Sequence, residues 1–193
     1  YTTLFRSRDK AGLVFQDAVR LLFEERFGQA MKKAAEAHAA GTAPGLSALI
    51  AARAAQRMRE PAKQQYWLEH AKTDDPRTEA ATLMLDAEMA NEERRFDVAL
   101  AALEKLQGKQ GRHIAALRLE LRARQGAGDW DGVIKLVRQL AKRDALPDEV
   151  VREILTQAHL ACIAKRRVDE RQLIAYLRSL PSGERSQRVV LAA

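Results

Sequence analysis

Ligand chemistry in this sequence centres on its one cysteine, Cys162, and on His159, which lies three positions earlier. An i, i+3 spacing places two side chains on the same face of a helix. Because imidazole and thiolate both ligate heme iron, the pair is a candidate heme-binding site. The same spacing also fits an ordinary helix core, in which a partly buried histidine packs beside a small apolar cysteine, and we favour that interpretation.

A second candidate is His70, which stands beside Tyr66 and Trp67, although a packed helix explains these neighbours about as well. The single cysteine excludes an internal disulfide and a cysteine-based zinc cluster. Three of the histidines are expected in different helical units, so we do not expect them to form a clustered metal site. The four histidines are His38, His70, His113 and His159.

Catalytic motifs are missing from the sequence, which contains no nucleophile elbow, phosphate-binding loop or HExxH helix. An active site needs convergent groups of that kind. The acidic pair Asp74 and Asp75 is predicted to lie in a turn and to cap a helix. The charged stretch at 91–95 is predicted to be a solvated turn. We therefore expect a protein that is not an enzyme, with no metal and no cofactor, and with heme only as a candidate ligand.

The composition is that of an all-α protein. Charged residues make up 31% and apolar residues 47% of the 193 residues, with only ten Gly and five Pro. Segments of alternating β-branched and aromatic residues are few, so strands are not expected. No run approaches the roughly 18 apolar residues that are needed to cross a bilayer.

The net charge of +7 is spread along the chain, and we interpret it mainly as solvated helix faces. Contact with an acidic partner, nucleic acid or anionic lipid is the alternative. The densest basic clusters lie at 6–10 and at 165–167. Neither is interleaved with aromatic residues as a single-stranded nucleic-acid platform would be, so we expect no nucleic-acid partner.

The most informative pattern is a repeat. A bulky or rigid residue recurs at spacings of 34, 35 and 34 residues, and two columns of mostly small residues keep the same period. The bulky column is Phe27, Pro61, Phe96 and Trp130, and the others are Ala18, Ala52, Ala87 and Leu121, and Ala37, Ala71, Leu106 and Leu140. A period of this length, built from two helices, is that of tetratricopeptide (TPR) repeats.

The repeat predicts an all-α, TPR-like right-handed superhelix, or α-solenoid, of antiparallel helix pairs. Small residues in the first helix of a pair let the second approach closely, and the aromatic residue packs under the turn. The first helices would line a concave face, which is the usual binding surface of this architecture. Asp17, Asp86 and Glu120 stand where TPR repeats commonly carry leucine, so the repeats are divergent.

The predicted helix pairs are about 13–25 and 27–40, 46–59 and 61–73, 77–92 and 94–106, 113–126 and 129–143, and 148–164 and 169–180, followed by a helix cut short at 182–193. The predicted domains are a juxtamembrane segment at 1–10 and one repeat domain at 11–193. Its units lie at about 11–43, 44–76, 77–111, 112–146 and 147–181, with a partial unit at 182–193.

A more specific likeness is carried by two stretches, AARAAQRMREPAKQQYWLEHA at 51–71 and ALRLELRARQGAGDWDGVIKLVRQLAK at 116–142. They resemble the bacterial HemY family of heme-biosynthesis-associated TPR proteins. The stretch FRSRDKAGLVFQDAVRLLFEERFGQAMKKAAEA fits the first repeat of that family, and the end ERSQRVVLAA fits the same family. The likeness keeps its register over nearly the whole chain.

The resemblance implies two transmembrane helices before this segment, further helical repeats after it, and a place in late protoheme synthesis with no established catalytic activity. The chain begins with Tyr1 rather than Met, so we expect a fragment of a longer protein. The basic residues Arg6, Arg8 and Lys10 would lie near the bilayer and favour the cytoplasmic side of the bacterial inner membrane. A solvated, frayed terminus explains the same residues equally well.

These features together predict a non-catalytic TPR scaffold that is tethered to the inner membrane and binds other proteins, namely heme-biosynthesis enzymes. The alternatives are a heme or porphyrin carrier, with His159 and Cys162 as ligands, and a general cell-envelope scaffold. The predicted partner-binding residues point inward from the first helices and would make polar and charge-assisted contacts. They are Arg53, Gln56, Arg57, Glu88, Arg118, Arg122 and Gln125.

Overall fold

The computed structural model describes residues 2–111, 113–167 and 169–186, and helices are the only regular secondary structure in these residues. The all-α class predicted from the sequence is confirmed. The helices are α1 (Thr2–Phe23), α2 (Phe27–Ala39), α3 (Pro44–Arg57), α4 (Pro61–Asp74), α5 (Glu79–Glu92), α6 (Phe96–Gln110), α7 (Ile114–Ala127), α8 (Trp130–Ala141), α9 (Asp148–Arg166), α10 (Glu170–Ser179) and α11 (Ser182–Arg185), with a 3-10 turn at Pro76–Thr78.

The ten helices predicted as pairs are all present, and the main differences from the prediction lie at the start of α1, at the start of the third pair and in the last, partial helix. Helix α1 begins at Thr2, so the segment at 1–10, which is predicted to be juxtamembrane, is part of this helix from Thr2 onwards. The third pair begins with the 3-10 turn, because Pro76 lacks an N–H and the Asp75 side chain caps the Arg77 N–H at 3.0 Å. The last predicted helix is seen as α11, and positions 187–193 lie outside the described residues.

The chain divides into two compact units, an N-terminal unit at Tyr1–Met89 and a C-terminal unit at Ala90–Ala193. In the N-terminal unit each helix from α1 to α4 packs on the next. The shared core consists largely of alanine, which lets neighbouring backbones approach closely. Its buried alanines include Ala18, Ala30, Ala34, Ala37, Ala48, Ala51, Ala52, Ala54, Ala55 and Ala71.

In the C-terminal unit α6 packs on α7, α7 on α8, α8 on α9, and α9 on α10. Its core contains larger aliphatic side chains than the alanine core of the N-terminal unit. Helix α8 alone contributes five buried aliphatic residues, and its amphipathic stripe faces α7 and α9. The main cluster contains Leu117, Leu121, Val133, Ile134, Leu136, Val137, Leu140, Leu155 and Cys162, among others.

Both small-residue columns of the repeat lie in these cores. All eight of their members are at most 5% exposed. The first column is Ala18, Ala52, Ala87 and Leu121, and the second is Ala37, Ala71, Leu106 and Leu140. The periodicity in the sequence therefore identified helix-packing positions correctly.

The turn inside each of the first four pairs has the same backbone geometry. Glu25, Arg59, Arg94 and Gly128 all have positive φ, between 58° and 71°, and follow one another at the repeat interval. In each turn the next residue donates its N–H to a carbonyl five residues earlier, as Arg26 does to Leu21 at 2.9 Å and Asp129 does to Arg124 at 3.0 Å. This left-handed helix end is usually occupied by glycine, and here glycine occurs only in the fourth pair.

The bulky residue Phe96 packs against the first helix of the following pair. Its ring lies over Gly126, where an added Cβ would overlap the ring carbons. The ring also packs on a cluster formed by Ala90, Ala99 and Ala123. Phe96, at the start of a second helix, therefore helps to set the distance to the first helix of the next pair. The ring fits there because Gly126 has no side chain.

We expect Gly126→Ala to destabilise the C-terminal unit. The new methyl group would meet the Phe96 ring, and overpacking of this kind costs about 1–3 kcal/mol. That cost exceeds the gain of about 0.5–1 kcal/mol that a helical Gly→Ala change provides through helix propensity. Urea unfolding followed by circular dichroism measures the difference in the free energy of unfolding.

The matched control is Gly108→Ala. Gly108 lies near the end of α6 and has no atom within 4 Å of an added Cβ. This variant should be as stable as the parent chain or more stable. Equal effects of the two substitutions would show that Phe96 does not constrain Gly126.

Candidate functional site

Three of the predicted partner-binding residues, Arg53, Gln56 and Glu88, contact one another in the N-terminal unit. The Glu88 carboxylate accepts hydrogen bonds from the Arg53 guanidinium and from the Gln56 amide, the latter at 2.8 Å. Arg53 also donates to the Gln56 side-chain oxygen at 2.7 Å. Because this network joins α3 to α5, the polar groups of these residues already hold neighbouring helices together.

The fourth predicted residue of this unit, Arg57, is exposed and has two local contacts. Its guanidinium lies 3.3 Å from the Glu25 carboxylate and 4.9 Å from the centre of the Phe27 ring. Exposed ion pairs of this kind contribute little to stability. Arg57 can therefore exchange Glu25 for another acidic group at small cost.

The predicted residues of the C-terminal unit are more accessible. Arg118 and Arg122 are both exposed on successive turns of α7, and Gln125 is half-buried near its end. Arg118 donates to the Ala145 carbonyl at 2.7 Å, whereas the part of the chain that the structure describes shows no ion pair for Arg122. Ile114, one turn before Arg118, is 38% exposed, so the outward stripe of α7 combines an apolar residue with two cations.

One further cation extends this pattern and was not predicted. Arg152 lies 34 residues after Arg118 and is exposed on α9, the first helix of the next pair. It could have been found by continuing the repeat register one unit beyond the fourth pair. Together, Arg118, Arg122 and Arg152 form what we call the basic stripe.

Two of the acidic residues at leucine positions have structural roles. Asp86 on α5 lies 3.2 Å from the Lys72 ammonium group on α4, and Glu120 on α7 accepts a hydrogen bond from Gln107 on α6 at 2.9 Å. Lys72 and Gln107 are separated by 35 residues, close to the repeat interval. In both places a polar contact joins the second helix of one pair to the first helix of the next.

A cleft of about 360 Å³ lies beside this second contact, between α7 and α8. Three of its charged lining residues, Glu120, Arg124 and Asp129, are engaged with each other. Arg124 donates to Glu120 at 2.8 Å and also to the Asp129 carboxylate. The cleft therefore presents a paired network, and its geometry does not by itself indicate a reaction.

The candidate heme ligand His159 is completely buried, and both of its ring nitrogens have partners. Nδ1 lies 2.5 Å from the Tyr176 hydroxyl and Nε2 lies 2.8 Å from the Glu184 carboxylate. Glu184 in turn accepts hydrogen bonds from Arg138, one of them at 2.9 Å. This network attaches the short helix α11 to α8 and α9.

The contacts of His159 and its burial together favour a neutral imidazole. An ionised carboxylate only accepts hydrogen bonds, so Nε2 donates its N–H to Glu184, and in the neutral ring Nδ1 accepts a hydrogen bond from the Tyr176 hydroxyl. Burial lowers the pKa of His159, against a smaller opposing effect of Glu184. The contacts with Arg138 and His159 lower the pKa of Glu184 although burial opposes them.

The second candidate heme ligand, Cys162, is 2% exposed and lies one turn from His159. Its sulfur is 3.7 Å from an Asp131 carboxylate oxygen, and burial raises the pKa of its thiol. As the two side chains are placed, an iron could reach neither without breaking the contacts of His159 or exposing the core around Cys162. Both side chains are buried and in contact within the C-terminal unit, and the heme interpretation stays a prediction.

The expectation that the histidines lie apart does not hold for His38 and His70. Their ring centroids are 5.3 Å apart, and His38 Nε2 lies 2.6 Å from an Asp74 carboxylate oxygen. Asp75 caps the 3-10 turn as predicted, whereas Asp74 turns to His38. The two histidines are 32 residues apart in sequence, but α3 runs back between α2 and α4, so their helices bring them close together in space.

Comparisons with protein-family models, with curated proteins and with solved structures found no match to this chain. Among the described residues, none of the helices has the length and apolar character required to cross a membrane.

We expect the buried histidine to make the C-terminal unit sensitive to mild acid. The unfolded chain protonates this histidine below a pKa of about 6.5, whereas the pKa of native His159 is lower. The unfolded state therefore binds more protons in this range, and the free energy of unfolding falls as the pH falls. One such proton gives a limiting slope of about 1.4 kcal/mol per pH unit. Urea unfolding measured between pH 7 and pH 5 gives this slope.

The control is His159→Gln, which keeps a side-chain donor but does not titrate in this range. Its stability should depend less on pH over the same interval, whatever its stability at neutral pH. The same slope in both chains would show that the acid sensitivity has another source.

Proposed function

We propose that this chain is a non-catalytic helical-repeat scaffold that binds a partner protein through the outward stripe of its first helices. The observation that carries the proposal is the basic stripe, with Arg118 and Arg122 exposed on α7 and Arg152 exposed on α9. Charged side chains on one face of successive first helices are suited to a long polypeptide surface. They are less suited to a small substrate, which a concave pocket would surround.

The repeated helix pairs support this role. Buried columns in register mean that each pair presents the corresponding face of its first helix, so binding residues can be added one repeat at a time. The finer arrangement that we propose is a right-handed superhelix of TPR type, in which these faces line its concave side. In such a superhelix the stripe would form a continuous surface.

The chemistry of the stripe suggests the kind of partner. Arginine forms bidentate hydrogen bonds with carboxylates, and the chain carries a net charge of +7. The exposed Ile114 adds an apolar contact beside the cations. A partner with an acidic segment that also contains an apolar side chain would match this surface.

The identity of the partner follows from the resemblance to the HemY family. The two stretches that carry it form α3 and α4 in the N-terminal unit, and α7 and α8 in the C-terminal unit. We therefore propose that the partners are enzymes of late protoheme synthesis and that the scaffold works at the bacterial inner membrane, on its cytoplasmic side. A general cell-envelope scaffold is the alternative, and the identity of the captured partners distinguishes the two.

We expect Arg122→Glu to weaken partner capture by roughly tenfold, and Arg118→Glu combined with Arg122→Glu to weaken it further, because both reverse charges that face the partner. Affinity capture with the full-length protein, followed by quantitative mass spectrometry, measures this loss. Arg122 is the cleaner single test, since Arg118 also holds the Ala145 carbonyl.

The matched control is the pair Lys135→Glu and Lys142→Glu, which changes the net charge by the same amount at exposed positions on α8 and at its end. Capture that falls equally in the control would indicate non-specific charge attraction. Unchanged capture by the Arg118 and Arg122 variant would reject the basic stripe as the binding surface. Capture of envelope complexes without any heme-pathway enzyme would favour the general scaffold.

A further inference from the structure

Two histidines and one aspartate converge on the surface of the N-terminal unit. His38 comes from the end of α2, and His70 and Asp74 come from successive turns of α4. One nitrogen of each histidine and one carboxylate oxygen of Asp74 all lie within 4.8 Å of one another. The three side chains belong to the second helices of two successive pairs, and α3 lies between them in the chain.

We propose that His38, His70 and Asp74 form a binding site for a divalent transition-metal ion, and that Zn²⁺ is the ion their chemistry fits best. Imidazole nitrogen and carboxylate oxygen are common zinc ligands, with metal–ligand distances near 2.0–2.2 Å. A hard cation such as Mg²⁺ or Ca²⁺ would instead require mostly oxygen ligands. Three protein ligands leave the fourth position of a tetrahedral ion to water or to an exogenous group.

The observed distances suit this ion after modest movements, since the farthest pair of ligand atoms, at most 4.8 Å apart, would have to close by no more than about 1.5 Å. Ligand atoms around a tetrahedral zinc ion are separated by roughly 3.3 Å, as follows from its bond lengths. His38 Nε2 and the Asp74 oxygen are now 2.6 Å apart, as a hydrogen-bonded pair. These two atoms would have to move apart by less than about 1 Å for an ion to replace the shared proton. His70 and Asp74 have an i, i+4 spacing, which places both on one face of α4.

Neighbouring aromatic side chains hold the two imidazoles. Trp67 packs edge-on against His38 with ring centroids 5.4 Å apart, and Tyr66 packs against His70 at 4.5 Å. Rings that are fixed by packing lose less freedom when they bind a metal. The cluster is also accessible, since the His38 and Asp74 side chains are 21% and 26% exposed.

The hydrogen bond between His38 and Asp74 does not explain the whole cluster. It accounts for two of the three residues, but it gives no reason for the His70 ring to lie within ligand distance of the same point. A metal ion would engage all three side chains at once. Such an ion would connect α2 to α4 and would therefore hold the first two helix pairs together.

The test uses the untagged full chain, freed of metal with EDTA and then titrated with ZnCl₂ by isothermal calorimetry. We expect one ion per chain. Cobalt chloride serves as a spectroscopic probe, because a tetrahedral Co²⁺ ion absorbs visible light much more strongly than hydrated Co²⁺. His70→Ala and Asp74→Asn should each weaken zinc binding by roughly tenfold or more, since the loss of even an outer-shell partner of a metal site typically costs roughly 10–100-fold. Asp74→Asn is informative because it keeps a hydrogen-bonding group beside His38.

The matched control is His113→Asn, which removes a histidine outside the cluster and keeps an acceptor at the N-cap of α7. It should bind zinc as tightly as the parent chain. Zinc binding that is unaffected by His70→Ala or by Asp74→Asn, or that is weakened equally by His113→Asn, would overturn the proposal.

A measurement on the parent chain avoids any effect of substitution on folding. In ¹H–¹⁵N spectra that detect the imidazole nitrogens, zinc should shift the signals of His38 and His70 and leave those of His113 and His159 in place. Zinc-induced shifts at His113 or His159 instead, or no shift at all, would also overturn the proposal.

Discussion

The structure depends on close contact between helices at buried positions that recur every repeat, which carry alanine in the N-terminal unit and mostly leucine in the C-terminal unit. Where alanine fills both columns, as at Ala18 and Ala52 in one and at Ala37 and Ala71 in the other, the buried side chain at the packing position is a single methyl group. This spacing determines what can lie nearby. His38 and His70 directly adjoin Ala37 and Ala71 in the chain, so the approach of their helices brings the two imidazoles together. Other charged residues of the first helices, such as Arg57, Arg118 and Arg122, remain exposed to solvent.

Much of the fold could be predicted because the packing positions have a clear compositional signature. The turns inside the helix pairs have no such signature. Gly128 is the usual residue for a left-handed helix end, but Glu25, Arg59 and Arg94 adopt the same conformation without glycine. Their local cost, of order 1–2 kcal/mol each, is borne by the packing of the helices on either side. A sequence pattern that looks for glycine therefore detects one of the four turns, whereas the repeat register would have located all of them.

For the candidate site, repeat register predicts which residues face outward but not which of them find partners within the chain. Arg53 and Glu88 are 35 residues apart, and only the crossing of α3 and α5 brings their side chains together. The cluster of His38, His70 and Asp74 depends in the same way on the contact of two second helices. His159 and Cys162 are a different case. Their spacing correctly predicts that they lie on one helix, but their contacts are with Tyr176, Glu184 and Asp131, which come from other helices and cannot be found from the spacing.

The alanine core of the N-terminal unit has a consequence for its motions. Each buried methylene group contributes about 0.8 kcal/mol of hydrophobic stabilisation, so a core of methyl groups gains less from each buried residue than the leucine and valine core around α8. Local opening of α1 to α4 therefore costs less free energy, and their backbone amides should exchange with deuterium sooner than those of α7 and α8. Close helix packing and a low free energy of local opening therefore coexist in this unit. Alanine lets the helices lie near one another but buries little apolar surface area between them.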